Sequence, residues 1–132
     1  MRVTMWVMFI VGLIEMGANL FFLANMKRGK GLEVAKKFHG DFPAFASKRA
    51  WIVKIVVSIA LGAIALFAAL SIYKGYESKV IISGLFAGGM LLLCIVQAIL
   101  YGKKHMPARI SIILGLAFGA LAFFAFSTYP QK

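Results

Sequence analysis

Long apolar segments are the feature that most constrains this sequence. Four stand out, each about the 20 residues that a helix needs to cross the hydrocarbon core of a bilayer. They cover residues 3–25, 50–73, 80–101 and 106–128. Apolar residues make up 62% of the 132 residues, against about 45–50% in soluble domains. Because a chain this short cannot hide so much apolar surface in a core of its own, we expect an integral membrane protein.

The segments predict an all-α fold and not a membrane β-barrel. They are continuously apolar and rich in Ala and Leu, whereas barrel strands alternate apolar with polar residues. The second and third connections are short, so neighbouring helices should run antiparallel. We therefore predict a single domain, residues 1–132, with four transmembrane helices in an up-down bundle. The first segment contains Glu15 and Asn19 and has no clear cleavage site, which favours a retained helix over a signal peptide.

Basic residues predict the orientation. The chain has 15 Lys and Arg against 4 Asp and Glu. Ten of the basic residues fall on the side that holds the first and third connections: Lys27, Arg28, Lys30, Lys36, Lys37, Lys48, Arg49, Lys103, Lys104 and Arg109. The other side carries four: Arg2, Lys74, Lys79 and Lys132. The positive-inside rule then places both termini on the non-cytoplasmic side, and we expect a multi-pass protein of a prokaryotic inner membrane.

Two ionisable side chains lie within the apolar segments, where charge is costly and functional sites are common. Glu15 lies about ten residues, or ~15 Å, from the inner end of the first segment, and Lys54 lies four residues, or ~6 Å, into the second. Asn19 and Ser58 follow at i+4 on the same helix faces, and Gln97 reaches a similar depth in the third segment. If these faces converge, the five residues form one polar pocket open toward the cytoplasm, in which Glu15 and Lys54 offset each other's charge.

Simpler explanations stay open for these residues. Lys54 is close enough to the interface for its stem to reach the headgroups. The shorter carboxylate of Glu15 cannot do so from near the midplane, so it is protonated, paired or in contact with water. Asn19 and Gln97 can also act simply as hydrogen-bond links between helices.

The long first connection, residues 26–49, has a pattern of its own. Apolar residues recur at spacings of three and four among the basic ones: Ala35, Phe38, Phe42 and Phe45. The pattern is typical of an amphipathic segment lying on anionic lipid headgroups, although Gly40 and Pro43 divide it into short pieces. The alternative is a basic loop that only fixes the topology.

Pairs of small residues four positions apart predict close helix packing. They are Ser58 with Gly62, Gly84 with Gly88, and Gly115 with Gly119. The pattern does not tell packing within the chain from association between chains. Because four short helices have little interior, we expect a homo-oligomer or a subunit of a larger membrane complex.

The topology and several short motifs resemble the MAPEG family (membrane-associated proteins in eicosanoid and glutathione metabolism). The run from Gly40 to Pro43, followed by Arg49 and Ala50, is similar to the bacterial family pattern of Gly-Asp, Pro, then Arg-Ala. The stretch 101–109 is similar to the family's third connection, with Tyr, Pro and Arg at comparable spacing.

The resemblance implies a trimer that binds glutathione between subunits near the cytoplasmic side. The positions it implies for binding the anion are Arg49, Tyr101 and Arg109. The chain departs from the family signature at several positions. Residues 45, 46 and 53 are Phe, Ala and Val, where the family has Glu, Arg and Asn, and the Arg that the family has late in the third span falls near Cys94.

The sequence indicates no resident metal or cofactor, because its single Cys and two His form no ligand pattern. Glutathione enters only through the resemblance, and nucleic acid is not an expected partner. We predict an oligomeric membrane subunit or small carrier with a polar site around Glu15 and Lys54, in contact with the bilayer and its anionic headgroups. The alternative is a divergent glutathione-dependent transferase or peroxidase of lipophilic substrates. Whether the chain is an enzyme stays open.

Overall fold

The computed structural model describes residues 2–39, 47–101, 109–110, 112–117 and 119–120. Every regular element in this part of the chain is an α-helix, which confirms the all-α fold class for the described residues. Four helices are delimited: α1 (Arg2–Lys27), α2 (Gly31–His39), α3 (Lys48–Lys74) and α4 (Lys79–Tyr101). The described residues between 109 and 120 are helical as well.

Three of these helices, α1, α3 and α4, are long and apolar enough to cross a membrane. They contain 26, 27 and 23 residues. At about 1.5 Å per residue, each exceeds the ~30 Å hydrocarbon core. The first three predicted segments therefore correspond to helices with nearly the expected limits. The predicted fourth segment, 106–128, lies mostly outside the described residues, so the fourth transmembrane helix stays a prediction.

The outward surfaces of the long helices are apolar. Ile14 is 63% exposed, Val53 61% and Leu92 63%. Contact between so much apolar surface and water is unfavourable, whereas acyl chains contact it without that cost. The helices are thus compatible with a small multi-pass membrane protein.

The ends of α3 are fixed by local hydrogen bonds. Ser47 is the N-cap, and its Oγ accepts a hydrogen bond from the backbone N–H of Ala50 at 3.1 Å. At the other end Gly75 has φ 72°, a left-handed conformation that glycine adopts without steric cost. The next N–H, of Tyr76, donates to the carbonyl of Ser71 at 2.9 Å and closes the turn that leads into α4.

Helices α1 and α3 pack antiparallel along most of their length. At one end the rings of Phe22 and Trp51 are 6.4 Å apart, edge to face. Near the middle the backbones approach at two glycines, since a Cβ built on Gly12 would lie 2.9 Å from the carbonyl oxygen of Gly62. Towards the other end Met8 joins the main apolar cluster of the bundle.

Helix α4 returns along α3. Phe86 and Met90 are fully buried against Ala65 of α3 and the rest of the main cluster. A Cβ on Gly89 would meet the side chain of Leu61, so this glycine lets α4 approach α3. The described helical residues that follow pack on α4, where a Cβ on Gly115 would lie 2.9 Å from Cδ2 of Leu91.

Only some of the predicted small-residue pairs lie at close contacts between helices. Gly62 and Gly115 lie at close approaches, as their motifs predict. Gly88 does not, because a Cβ there would meet no described atom within 4 Å. The backbone partner of Gly62 across the α1–α3 contact is Gly12, which belongs to none of the predicted pairs.

The first connection contains the short helix α2. It follows a turn in which Gly29 has φ 76°, and its Val34 packs against the apolar cluster formed by Phe22, Met26, Trp51 and Ile55. Glu33, Lys36 and Lys37 are exposed. Among the residues of the expected amphipathic pattern, Phe42 and Phe45 lie outside the described residues, as do the side chains of Ala35 and Phe38. Both interpretations of the connection therefore stay predictions.

Candidate functional site

The carboxylate of Glu15 is held by the next turn of its own helix. The Nδ2 amide of Asn19 donates to Oε2 of Glu15 at 3.0 Å and to the backbone carbonyl of Glu15 at 2.7 Å. Asn19 is only 4% exposed and faces the interior of the bundle. The predicted i+4 relationship thus becomes a direct contact that fixes the carboxylate at the middle of α1.

Lys54 of α3 lies near the level of Asn19. The antiparallel register, with Gly12 beside Gly62 and Phe22 beside Trp51, places Glu15 about one turn further along, near Ser58. Opposite charges on two neighbouring helices at such a separation attract each other. Such attraction partly offsets the cost of removing each charge from water.

The ammonium group of Lys54 has a second neighbour. Its Nζ lies 4.9 Å from the ring centroid of Trp51, which is buried one turn earlier on the same helix. A cation over an indole face is attracted by the ring quadrupole. The i, i+3 spacing of Trp51 and Lys54 is the signal that could have revealed this contact.

Ser58 and Gln97 are each 1% exposed. Oγ of Ser58 and Oε1 of Gln97 form no hydrogen bond within the described residues, and neither does Oδ1 of Asn19. Buried polar atoms are nearly always satisfied in proteins. Three unsatisfied atoms among the five residues of the predicted pocket therefore mark a region where water or a ligand would be stabilised.

A cavity of about 430 Å³ lies between α3 and α4. Lys54 and Gln97 are its two polar lining residues, but its exposed wall is almost entirely apolar and includes Val53, Val57, Leu61, Leu92 and Val96. Glu15 and Asn19 are hydrogen-bonded on α1, while Lys54 and Gln97 both line the cavity. Ser58 is buried on α3, one turn after Lys54. We call these five residues, Glu15, Asn19, Lys54, Ser58 and Gln97, the polar cluster.

The predicted anion-binding residues lie elsewhere. Arg49 is exposed in the first turn of α3, and α4 ends with Tyr101 at the same end of the antiparallel pair. The side chain of Tyr101 lies outside the described part of the chain. Arg109 is one of the described helical residues that follow α4, and its side chain is exposed.

No three His, Cys, Asp or Glu side chains within the described residues come together as a metal site. The one cysteine, Cys94, is a buried free thiol on α4.

Comparisons with known protein families, curated proteins and solved structures gave no match for this chain. The described fold and contacts alone therefore support its classification as an all-helical protein with three helices able to span a membrane.

Proposed function

We propose that this chain is a small multi-pass carrier that moves protons through the polar cluster, with Glu15 as the exchanging group. The proposal includes four transmembrane helices with both termini on the non-cytoplasmic side of a prokaryotic inner membrane. It also includes assembly into oligomers or into a larger membrane complex, because one copy has little interior surface. The polar cluster would face the cytoplasm.

The observation that carries the proposal is the carboxylate of Glu15 in the middle of an apolar helix, hydrogen-bonded to Asn19, with Lys54 on the neighbouring helix α3. An ionisable group at membrane depth is expensive and is commonly part of an ion or proton pathway. Among the described residues, Glu15 is the only acidic residue within a long helix, since Glu33 lies in the short helix α2 and Glu77 in the turn before α4.

A cluster that serves only packing would be expected to pair its own polar groups. Here Asn19, Ser58 and Gln97 keep buried atoms without partners in the described residues. Water molecules bound to these atoms would connect Glu15 with the cavity beside Lys54. Such a chain of water would give the carboxylate access to protons from one side.

Proton flux in proteoliposomes tests the proposal. The purified full chain is reconstituted around a pH-sensitive dye, and a pH gradient is imposed. We expect flux that falls at least tenfold in Glu15→Gln, because the amide cannot exchange a proton. Glu33→Gln is the matched control, since Glu33 is exposed on α2, and it should retain full flux.

The results separate the carrier from a packing subunit. Equal flux in the wild type and Glu15→Gln, with both folded, would contradict the carrier. An inactive wild type that co-purifies with a larger membrane complex, and loses it in Glu15→Gln, would instead assign the cluster to subunit packing.

A glutathione-dependent enzyme is the second candidate. Its support is the placement of Arg49 at the end of the bundle where α4 also ends at Tyr101. Cationic residues there would lower the pKa of the bound thiol and favour the thiolate. A trimer whose thermal stability rises with glutathione concentration, and not in Arg49→Gln, would support this candidate. A protein indifferent to glutathione would exclude it.

A further inference from the structure

We infer that the cavity between α3 and α4 binds an anionic phospholipid from the leaflet at which α3 begins, with one acyl chain in the cavity and the phosphate at Lys54. The inference rests on the membrane location in the proposed function, but it does not depend on proton transport.

The shape and wall of the cavity fit an acyl chain. Its volume of about 430 Å³ falls in the range of small-molecule sites, ~300–1,000 Å³. Its lining extends along α3 from Ala50 to Leu61, a rise of ~16 Å, which is about half of the ~30 Å hydrocarbon core. Val53 and Leu92 are exposed on its wall, so the cavity opens towards surrounding lipid.

The polar end of the cavity is on the correct side for a lipid of that leaflet. The stem of Lys54 turns back towards the start of α3, since its Nζ lies over the ring of Trp51. The ammonium therefore lies near the Ala50 end, where a headgroup enters, and the apolar wall continues towards the membrane centre at Leu61 and Gly89. A phospholipid has the same arrangement, with a polar headgroup at the membrane surface and apolar acyl chains towards the membrane centre.

The charges favour an anionic headgroup. Lys54 contributes the cation, and Lys48 and Arg49 are exposed in the adjacent first turn of α3. Phosphatidylglycerol carries a net negative charge on its phosphate, so it is the probe of choice.

Glu15 gives the inference a distinctive consequence. Its carboxylate lies on α1 about one turn from the level of Lys54, so a negative charge there would compete with the phosphate for the ammonium. Removing that charge should strengthen the binding of anionic lipid, whereas it should abolish proton flux. The same substitution therefore acts in opposite directions on the two proposed properties.

The experiment measures lipid binding to the full chain by native mass spectrometry in detergent, with phosphatidylglycerol as the probe and phosphatidylcholine as the zwitterionic reference. We expect tighter binding of phosphatidylglycerol, about tenfold weaker binding in Lys54→Met, and tighter binding in Glu15→Gln. Lys74→Met is the matched control, because Lys74 also lies over an aromatic ring, that of Tyr73, but at the far end of α3. It should bind like the wild type.

A second pair of variants tests the cavity without changing charge. Val57→Trp fills the cavity and should displace the lipid, whereas Val56→Trp places the same ring on an exposed neighbouring position outside the lining. Equal binding of both lipids, or no effect of Lys54→Met and Val57→Trp, would overturn the inference. So would a Val57→Trp variant that changes only the oligomeric state, since the cavity would then be an interface between copies. Normal proton flux without lipid binding would contradict only this inference. Lipid binding without proton flux would contradict only the proposed carrier function.

Discussion

Gly12 of α1 and Gly62 of α3 lie against each other where the two helices come closest. A Cβ on Gly12 would lie 2.9 Å from the carbonyl oxygen of Gly62, and a Cβ on Gly62 would lie 2.9 Å from the backbone nitrogen of Met16. Backbone atoms cannot move aside as a flexible side chain can. The contact therefore sets the distance between the helix that carries Glu15 and the helix that carries Lys54.

Gly62→Ala should weaken the α1–α3 contact. A methyl group at this position forces the helices apart, and such overpacking typically costs about 1–3 kcal/mol. SDS titration of the purified protein in mixed micelles measures the change in the free energy of unfolding. Gly17→Ala is the control, since a Cβ there meets no described atom within 4 Å and Ala is the better helix former. Equal effects of the two substitutions would show that the close contact does not limit stability.

Glu15 and Lys54 should be energetically coupled. Glu15→Gln and Lys54→Met each leave one charge without its counterpart, so each should destabilise the protein. In the double variant neither charge remains, and the loss should be smaller than the sum of the single losses by about 1 kcal/mol, within the usual range of ~0.5–3 kcal/mol for interacting residues. The same unfolding assay supplies all four values of the cycle. Strictly additive losses would mean that the two side chains act independently.

The N-cap of α3 offers a simple test of local structure. Ser47→Ala removes the oxygen that accepts from the N–H of Ala50, and we expect a loss of about 1 kcal/mol. Ser47→Asp keeps an acceptor and should retain the stability of the wild type. If Ser47→Ala left the free energy of unfolding unchanged, water would replace the cap without cost at this exposed position.

Much of the helical arrangement could be predicted from the sequence because hydrocarbon imposes a simple rule. Backbone groups in a bilayer must be satisfied within the segment, so each long apolar run becomes a helix. The predicted limits of the first three segments differ from α1, α3 and α4 by only a few residues for this reason. The i+4 spacing of Glu15 and Asn19 likewise sufficed to predict that they share a helix face, and the structure adds the hydrogen bond.

Contacts between helices were harder to predict, since they depend on how each helix rotates about its axis. Gly12 has no partner four residues away that marks it as a packing position, yet it lies at the closest approach. The cavity beside Lys54 and Gln97 also has no local signature, because its walls come from two helices. The contact of Lys54 with an aromatic ring could have been predicted from the sequence, because Trp51 precedes Lys54 by one helical turn.

The orientation of the chain can be tested at two serines on opposite ends of α3. Ser47 precedes α3, beside the basic first connection, and Ser78 lies in the turn between α3 and α4; both are exposed. The positive-inside rule places Ser47 in the cytoplasm and Ser78 outside. In a Cys94→Ala background, a membrane-impermeant maleimide should therefore label Ser78→Cys in intact cells. It should label Ser47→Cys only after the membrane is permeabilised. The reverse pattern would invert the topology and would open the polar cluster to the other side of the membrane, because Lys54 lies nearer to the Ser47 end of α3.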